Sequence, residues 1–377
     1  MATPPIVLRR LRSQRLIQRD LQAPVDVVQW FGAVQCQDLH AGLYGVGLRM
    51  REATAAAVEA ALADRTIVRT WPMRGTLHFV PGEDARWMAR LLGHRVNRKY
   101  AGTYRKSGLS AESFSRARSI LVKALRDGTP RMRPELVRTL KDAGLAANSL
   151  AATFLLVYWA QEGLLCQGPR HGKQQTFVLL DQWIPGSRNL DRDDALETLA
   201  RRYFRGHGPA TAHDFAWWTG MTLAEARRSI QACGHHLVRE EIEGTEYWSG
   251  ADGRGGNSPG RDGPGGVRGL AADDGAAGGA LPRVLLLQAF DELTVAYKDR
   301  SAYFESLLPK DSGVLALGPT VFVDGRIAGS WRRSVGKDAV SVQVRLLREL
   351  GKDHRRALAT AARDYGRFLG KQVSLET

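Results

Sequence analysis

An α+β chain built from repeated winged helix-turn-helix units is the fold class the sequence predicts. Three observations carry it. Short helices followed by a strand pair recur three times before residue 250. Capping and turn residues fall at the joins between these segments. At 377 residues the chain exceeds the usual size of one hydrophobic core, so several packed units are expected.

Residues 6–19 alternate apolar and basic positions at helical spacing, and Pro24 opens a second apolar helix through Val27, Val28, Trp30, Phe31 and Val34. A loop over 37–47, an Ala-rich helix over 54–63 and strands within 67–80 complete a first unit, residues 1–108. The second unit, 109–190, reads as helices over 134–143 and 150–162, a C-cap at Gly163, and wing strands over 164–167 and 176–180. In the third, 191–249, helices over 193–204, 211–218 and 222–232 are punctuated by His207-Gly208-Pro209 and Gly220. Glu225 stands at capping-box spacing from Thr222, and residues 237–241 with Tyr247-Trp248 supply a wing. Residues 250–281 hold twelve glycines and almost no large apolar side chain, which predicts a flexible insertion. Strands follow over 284–287, 314–317 and 321–331, with a basic helix over 353–369, in a last unit, 282–377. Asp324-Gly325 is a tight-hairpin signal.

Lysine and arginine total 54 against 39 acidic residues, a formal charge of +15 that favours a polyanionic partner, nucleic acid first. Arg86, Arg90, Arg95, Arg98 and Lys99 form one basic run, and phosphate contact is expected of Arg95, Arg98 and Lys99. Three scattered cysteines make neither a disulfide framework nor a zinc site, so a cytoplasmic protein is expected. The apolar runs fall short of the roughly 20 residues of a membrane helix, and the first residues lack a signal-peptide core. No membrane association is expected, and a monomer is. The glycine run 42–47 lacks the flanking strand and helix of a nucleotide loop. Cys233, His235 and His236 lack further ligands at zinc-like spacing, and no nucleophile elbow is present. No cofactor and no metal are expected.

Gln35-Cys36-Gln37-Asp38 places two amides one residue apart at the end of an apolar helix. Each offers a carbonyl acceptor and an amide donor, so the pair is able to orient a water and stabilise charge on a sugar through its oxygens. Capping a helix is the other reading. Arg74, Thr76 and His78 alternate on a strand and so share one face, either lining the same pocket or satisfying a buried polar network.

Taken together these segments resemble the winged-helix DNA glycosylases typified by AlkZ and YcaQ. Gln35-Cys36-Gln37-Asp38 is similar to the Q-x-Q motif of the AlkZ branch. Trp71-Pro72-Met73-Arg74-Gly75-Thr76-Leu77-His78 resembles the W-x-x-R-G-T-x-H segment. His207-Gly208-Pro209-Ala210-Thr211 through Asp214 to Gly220 resembles the central helix-turn-helix signature. Ala289-Phe290-Asp291-Glu292, Tyr297 to Arg300, and Val323-Asp324-Gly325-Arg326 through Gly329 to Arg332 resemble the C-terminal barrel signature.

The resemblance runs from about Leu8 to Leu369, interrupted by the glycine-rich stretch. It implies three winged-helix units around a small β-barrel, forming a C-shaped basic channel for duplex DNA. It also implies monofunctional hydrolysis of the N-glycosidic bonds of bulky alkylated purines, including natural-product adducts and, in some members, interstrand crosslinks, for repair or self-resistance. Gln35 and Gln37 are then the catalytic pair, with Asp38 as the alternative base, because an amide is no general base at neutral pH. A hairpin tip at Asp324 and Gly325, followed by Arg326, Arg332 and Arg333, is expected beside the minor groove, unless it is an ordinary hairpin closing the barrel. The competing function is a noncatalytic winged-helix DNA-binding protein or regulator.

Overall fold

The computed structural model describes residues 4–172, 174–251, 283–304 and 317–377. The glycine-rich insertion and most of the strand expected over 314–317 lie outside the described residues.

Helix α1 (Pro5–Ser13) ends earlier than the basic periodicity suggests, because Arg15 takes a left-handed conformation, φ 56°, that no helix continues through. Helix α2 (Pro24–Phe31) leads into the two-residue strand β1 (Val34–Gln35). The expected loop over 37–47 is instead a helix, α3 (Leu39–Gly47), N-capped by Asp38, whose carboxylate accepts from the Ala41 N–H. Its glycines mislead a sequence reader. They serve close packing: a Cβ on Gly42 would collide with Cys36, and one on Gly45 with the Gln288 side chain.

Helix α4 (Ala55–Ala63) precedes the hairpin β2 (Ile67–Met73) and β3 (Thr76–Pro81). Two long helices absent from the sequence reading follow, α5 (Ala85–Lys106) and α6 (Ala111–Leu125). Strand β4 (Arg131–Met132), helices α7 (Arg133–Asp142) and α8 (Ser149–Gln161), strands β5 (Leu165–Gln167) and β6 (Thr176–Leu179), and the short α9 (Leu180–Trp183) complete this half.

The two wings expected here are not separate. They join into one six-stranded sheet of order β1-β3-β2-β5-β6-β4, with Arg69 of β2 opposite Gln167 of β5. Joining them pairs strand edges that would otherwise be open to other chains.

Helices α10 (Arg192–His207), α11 (Ala212–Thr219) and α12 (Leu223–Ala232) precede the hairpin β7 (Leu237–Ile242) and β8 (Thr245–Gly250), in the expected order. Both expected caps form: Thr222 and Glu225 close a capping box, and Gly220 ends α11 in the left-handed region at φ 75°.

The C-terminal part holds β9 (Val284–Leu287), the short α13 (Glu292–Val295), β10 (Thr320–Val323), β11 (Arg326–Val335), β12 (Ala339–Leu346), α14 (Lys352–Leu369) and β13 (Gln372–Glu376). Its five strands curl into half a barrel of order β13-β12-β11-β10-β9, antiparallel except for the β12–β13 pair. The chain is therefore α+β, with many helices and a curled sheet.

The parts are tied through buried polar contacts as well as apolar packing. Arg49, at the end of α3, pairs with Asp291, both fully buried, and its second amino group donates to Gln14 of the first turn region. This anchors the start of α13 under the first helices.

Candidate catalytic site

Gln35 lies on β1, where it pairs directly opposite His78 of β3. Residues so paired project from the same sheet face. The backbone around it is gripped at three points. The Gln35 N–H donates to Glu292 Oε1 at 2.7 Å, and the Cys36 N–H donates to the Leu77 carbonyl at 2.9 Å. Arg69, buried beneath the strand, donates to the Cys36 carbonyl at 2.9 Å and the Gln37 carbonyl at 3.1 Å, and its other amino group reaches Gln167 Oε1 at 2.8 Å.

The two amides are oriented by separate donors. Arg74 Nη2 donates to Gln35 Oε1 at 2.7 Å, while Arg74 Nη1 donates to the Trp218 carbonyl at 2.6 Å. The Leu77 N–H donates to Gln37 Oε1 at 3.0 Å. Gln35 is buried and Gln37 is exposed, so the pair spans the step from interior to surface.

Arg74, Thr76 and His78 meet this site differently from the alternation expected of a strand. Arg74 is not on the strand: with Gly75 it forms the β2–β3 turn, both residues at positive φ, 54° and 79°. Its side chain bends back over the sheet and comes within 3.4 Å of His78 Nε2. Thr76 directs its hydroxyl toward the Met73 carbonyl at 3.5 Å, within the turn.

His78 is fully buried. Burial and then the Arg74 charge push its pKa from 6.5 down to about 3, so the ring is neutral near pH 7. Nδ1 faces the Thr76 carbonyl at 3.0 Å and must carry the proton, which leaves Nε2 as an acceptor toward Arg74.

A depressed folded pKa means that the unfolded state takes up the proton first. The contribution of His78 to stability is full above about pH 6.5 and is lost as pH falls toward about 3, at about 1.4 kcal/mol per pH unit. Chemical denaturation between pH 6.5 and 4 should therefore show a steeper loss in the wild type than in His78→Phe. Parallel curves would show that His78 is already protonated in the fold.

Sequence reasoning missed Glu292 as a site residue, although it quoted the segment Ala289 to Glu292. Its carboxylate is almost wholly buried. Oε1 accepts from Gln35, and Oε2 accepts from Trp218 Nε1 at 3.0 Å and His207 Nε2 at 3.1 Å. Burial raises its pKa, but the His207 hydrogen bond and charge and the Gln35 N–H outweigh this and hold it below the ordinary glutamate value. His207 Nδ1 faces the Tyr203 carbonyl at 3.0 Å, so both ring nitrogens meet oxygen atoms. A closed ring of contacts results: Gln35 N–H to Glu292, Glu292 to the Trp218 indole, the Trp218 carbonyl to Arg74, and Arg74 back to Gln35 Oε1. All four sequence segments singled out above contribute to it.

Asp38 faces elsewhere. Besides capping α3, it pairs with Arg333 of β11 at 3.2 Å; against the effect of burial, these contacts hold its pKa below the usual value. A carboxylate so engaged has little basicity to offer.

The remaining expected DNA contacts divide. Arg332 and Arg333 are consecutive on a strand and so lie on opposite faces: Arg333 turns to Asp38 beside the paired glutamines, while Arg332 is exposed on the other side. The hairpin tip adopts the expected two-residue turn, Asp324 at φ 46° and Gly325 at φ 83°. It does not stand free, however. His354 Nε2 of α14 meets Asp324 Oδ2 at 2.7 Å, Gly325 is buried, and Arg326 turns toward the Phe304 carbonyl at 3.4 Å. On α5, Arg95 is engaged by Glu225 of α12, whereas Arg98 and Lys99 are exposed.

Among the described residues no group of His, Cys, Asp and Glu side chains is arranged to hold a metal ion, and no helix is long and apolar enough to cross a membrane.

A family model described as DNA glycosylase AlkZ-like matches residues 28–368. The interstrand DNA cross-link repair glycosylase of Streptomyces sahachiroi is 26% identical over 342 residues, 85% of each chain. The solved structure of Streptomyces sahachiroi DNA glycosylase AlkZ covers the whole of both chains with a TM-score of 0.71 at 22% identity, a likeness of fold.

Proposed function

The chain belongs to the AlkZ-like DNA glycosylase family, and from that premise we propose that it is a monofunctional glycosylase hydrolysing the N-glycosidic bond of bulky alkylated purines in duplex DNA. The observation that carries this reading is the amide pair. Gln35 and Gln37 are locked at their carbonyl oxygens by Arg74 and Leu77, at the boundary between a buried network and the surface. A noncatalytic DNA binder has no need of such an arrangement.

No carboxylate among the described contacts is free to act as base beside the pair, since Asp38 caps α3 and is ion-paired, and Glu292 is saturated with donors. The chemistry then depends on the leaving group. An N7-alkylated guanine is already cationic, so its departure needs no prior protonation, and positioning of water with stabilisation of charge suffices. Natural-product adducts and interstrand crosslinks are substrates of this class. The test is incubation of purified protein with duplex carrying N7-methylguanine or a bulkier N7 adduct. Alkali-labile abasic sites are expected, and intact strands with retained binding would leave the noncatalytic reading.

We assign the DNA to a basic concave face formed by three winged-helix units, 1–108, 109–190 and 191–249, with the C-terminal half-barrel of 282–377. Among the described residues, exposed Arg90, Arg98 and Lys99 on α5 and Arg332 on β11 are offered as phosphate contacts, with Arg333 close to the reacting base. Several such contacts together should give a log–log salt dependence of duplex affinity with a slope of at least about −4. A slope near zero between low and physiological salt would remove DNA as the main partner.

A further inference from the structure

We infer that Gln35 and Gln37 face the lesion as hydrogen-bond donors, presenting their NH2 groups to acceptor atoms of the departing base. The inference rests on the glycosylase reading and specifies how its two amides act.

An arginine guanidinium and a backbone N–H have donors only. The Gln35 atom 2.7 Å from Arg74 Nη2 must therefore be its carbonyl oxygen, and so must the Gln37 atom 3.0 Å from the Leu77 N–H. The partners thus determine the sense of each amide, since either one reversed would set donor against donor. Both NH2 groups are left without a hydrogen-bond partner among the described residues, on side chains whose oxygens are already held. The Arg74 charge also polarises the Gln35 amide, which strengthens its N–H as a donor and weakens its oxygen as a stabiliser of cations. The Trp218 carbonyl holds Arg74 in place, so this polarity is built in rather than chosen on binding.

Donors here match what changes during hydrolysis of a cationic N7-alkylguanine nucleotide. The C1′–N9 bond breaks with its electron pair moving to N9, which cancels the positive charge of the ring. A water oxygen bonds to C1′ and its proton passes to solvent. As the ring loses charge, its O6 and N3 become better acceptors. N–H groups aimed at them bind the transition state more tightly than the ground state, and that differential lowers the barrier. Gln35 acting through its oxygen on the cationic sugar would instead work against the adjacent Arg74, and the Gln37 oxygen is already engaged by the Leu77 N–H.

Gln35→Glu separates the two possibilities. Its carboxylate keeps an acceptor for Arg74 and adds negative charge, but it has no N–H to offer. We expect single-turnover release of N7-methylguanine to fall by roughly tenfold to a hundredfold, close to the loss in Gln35→Ala, with duplex affinity within about twofold of wild type. A Gln35→Glu rate equal to or above wild type, in a preparation whose wild type excises, would overturn the donor assignment and leave the glycosylase reading intact. A neutron structure of the free, deuterium-exchanged protein tests the polarity without turnover, even if the wild type excises nothing and the glycosylase reading falls. Deuterated NH2 groups directed away from Arg74 and Leu77 are expected, and an NH2 facing either donor would overturn the inference.

Discussion

Alanine at Gln35 or Gln37 is expected to lower single-turnover release of N7-methylguanine from duplex DNA by roughly tenfold to a thousandfold, the range for removing one preorganised charge-stabilising group. The loss should fall on the chemical step. Gln37 is exposed, and its side-chain contact is a single hydrogen bond from the Leu77 N–H, so truncating it removes little packing. Gln35 is buried, but its backbone contact to Glu292 survives the substitution. Duplex affinity, which depends chiefly on phosphate contacts, should change little in either variant. Wild-type rates in both variants would move the reactive centre away from the paired amides. The same assay on Asp38→Asn checks the alternative base. Asparagine keeps an N-cap acceptor for the Ala41 N–H and loses the half-exposed ion pair with Arg333, so that variant should lose at most about 1 kcal/mol of stability while keeping most of its excision rate.

The second large effect is expected at Glu292. Glu292→Ala strands the His207 imidazole, the Trp218 indole N–H and the Gln35 backbone N–H in a buried site, and removing one member of such a pair typically costs about 3–5 kcal/mol. Glu292→Gln is the more informative variant. It keeps volume and one carbonyl acceptor, but its NH2 must confront a donor, leaving a mismatch worth about 1–3 kcal/mol. If the lost contact falls on Gln35, that corresponds to roughly a fivefold to hundredfold slower excision with unchanged duplex affinity. Thermal unfolding and excision should be measured together. A Glu292→Gln protein matching wild type in both would show that the carboxylate does not position Gln35.

Several elements were legible because their signals are local. Thr222 and Glu225 form the capping box that their spacing announces, and Asp324-Gly325 makes the two-residue turn expected of that dipeptide. The helix order of residues 191–249 followed from apolar periodicity, which reports only on neighbours within a few turns. Where local composition misleads, the cause is packing. The run from Leu39 to Gly47 reads as a loop because of its glycines, yet it is a helix in which those glycines admit Cys36 and Gln288 against the backbone. The C-terminal strand β13 carries no turn signal to a partner because its pairing is non-local, parallel to β12 across the intervening helix α14. Strand β12, by contrast, forms an alternating antiparallel hairpin with β11, a local pattern that the sequence reading passed over.

By itself the sequence determined the chemical inventory: two amides one residue apart, an arginine and a histidine four residues apart, a His-Gly-Pro turn ahead of paired tryptophans, and an Asp-Glu step near the C-terminal strands. It also supplied the resemblance that the family match bears out. The tertiary structure alone decided that these pieces meet. Gln35 and Glu292 are 257 positions apart, and Arg74 and Trp218 are 144 apart. It likewise decided that Arg74 reaches the site from a left-handed turn and that Arg326 turns inward. The physical reason is that a buried polar group must find a partner wherever the folded chain offers one. Periodicity shows which side of an element is buried, but only the packed fold shows which donor faces which acceptor there.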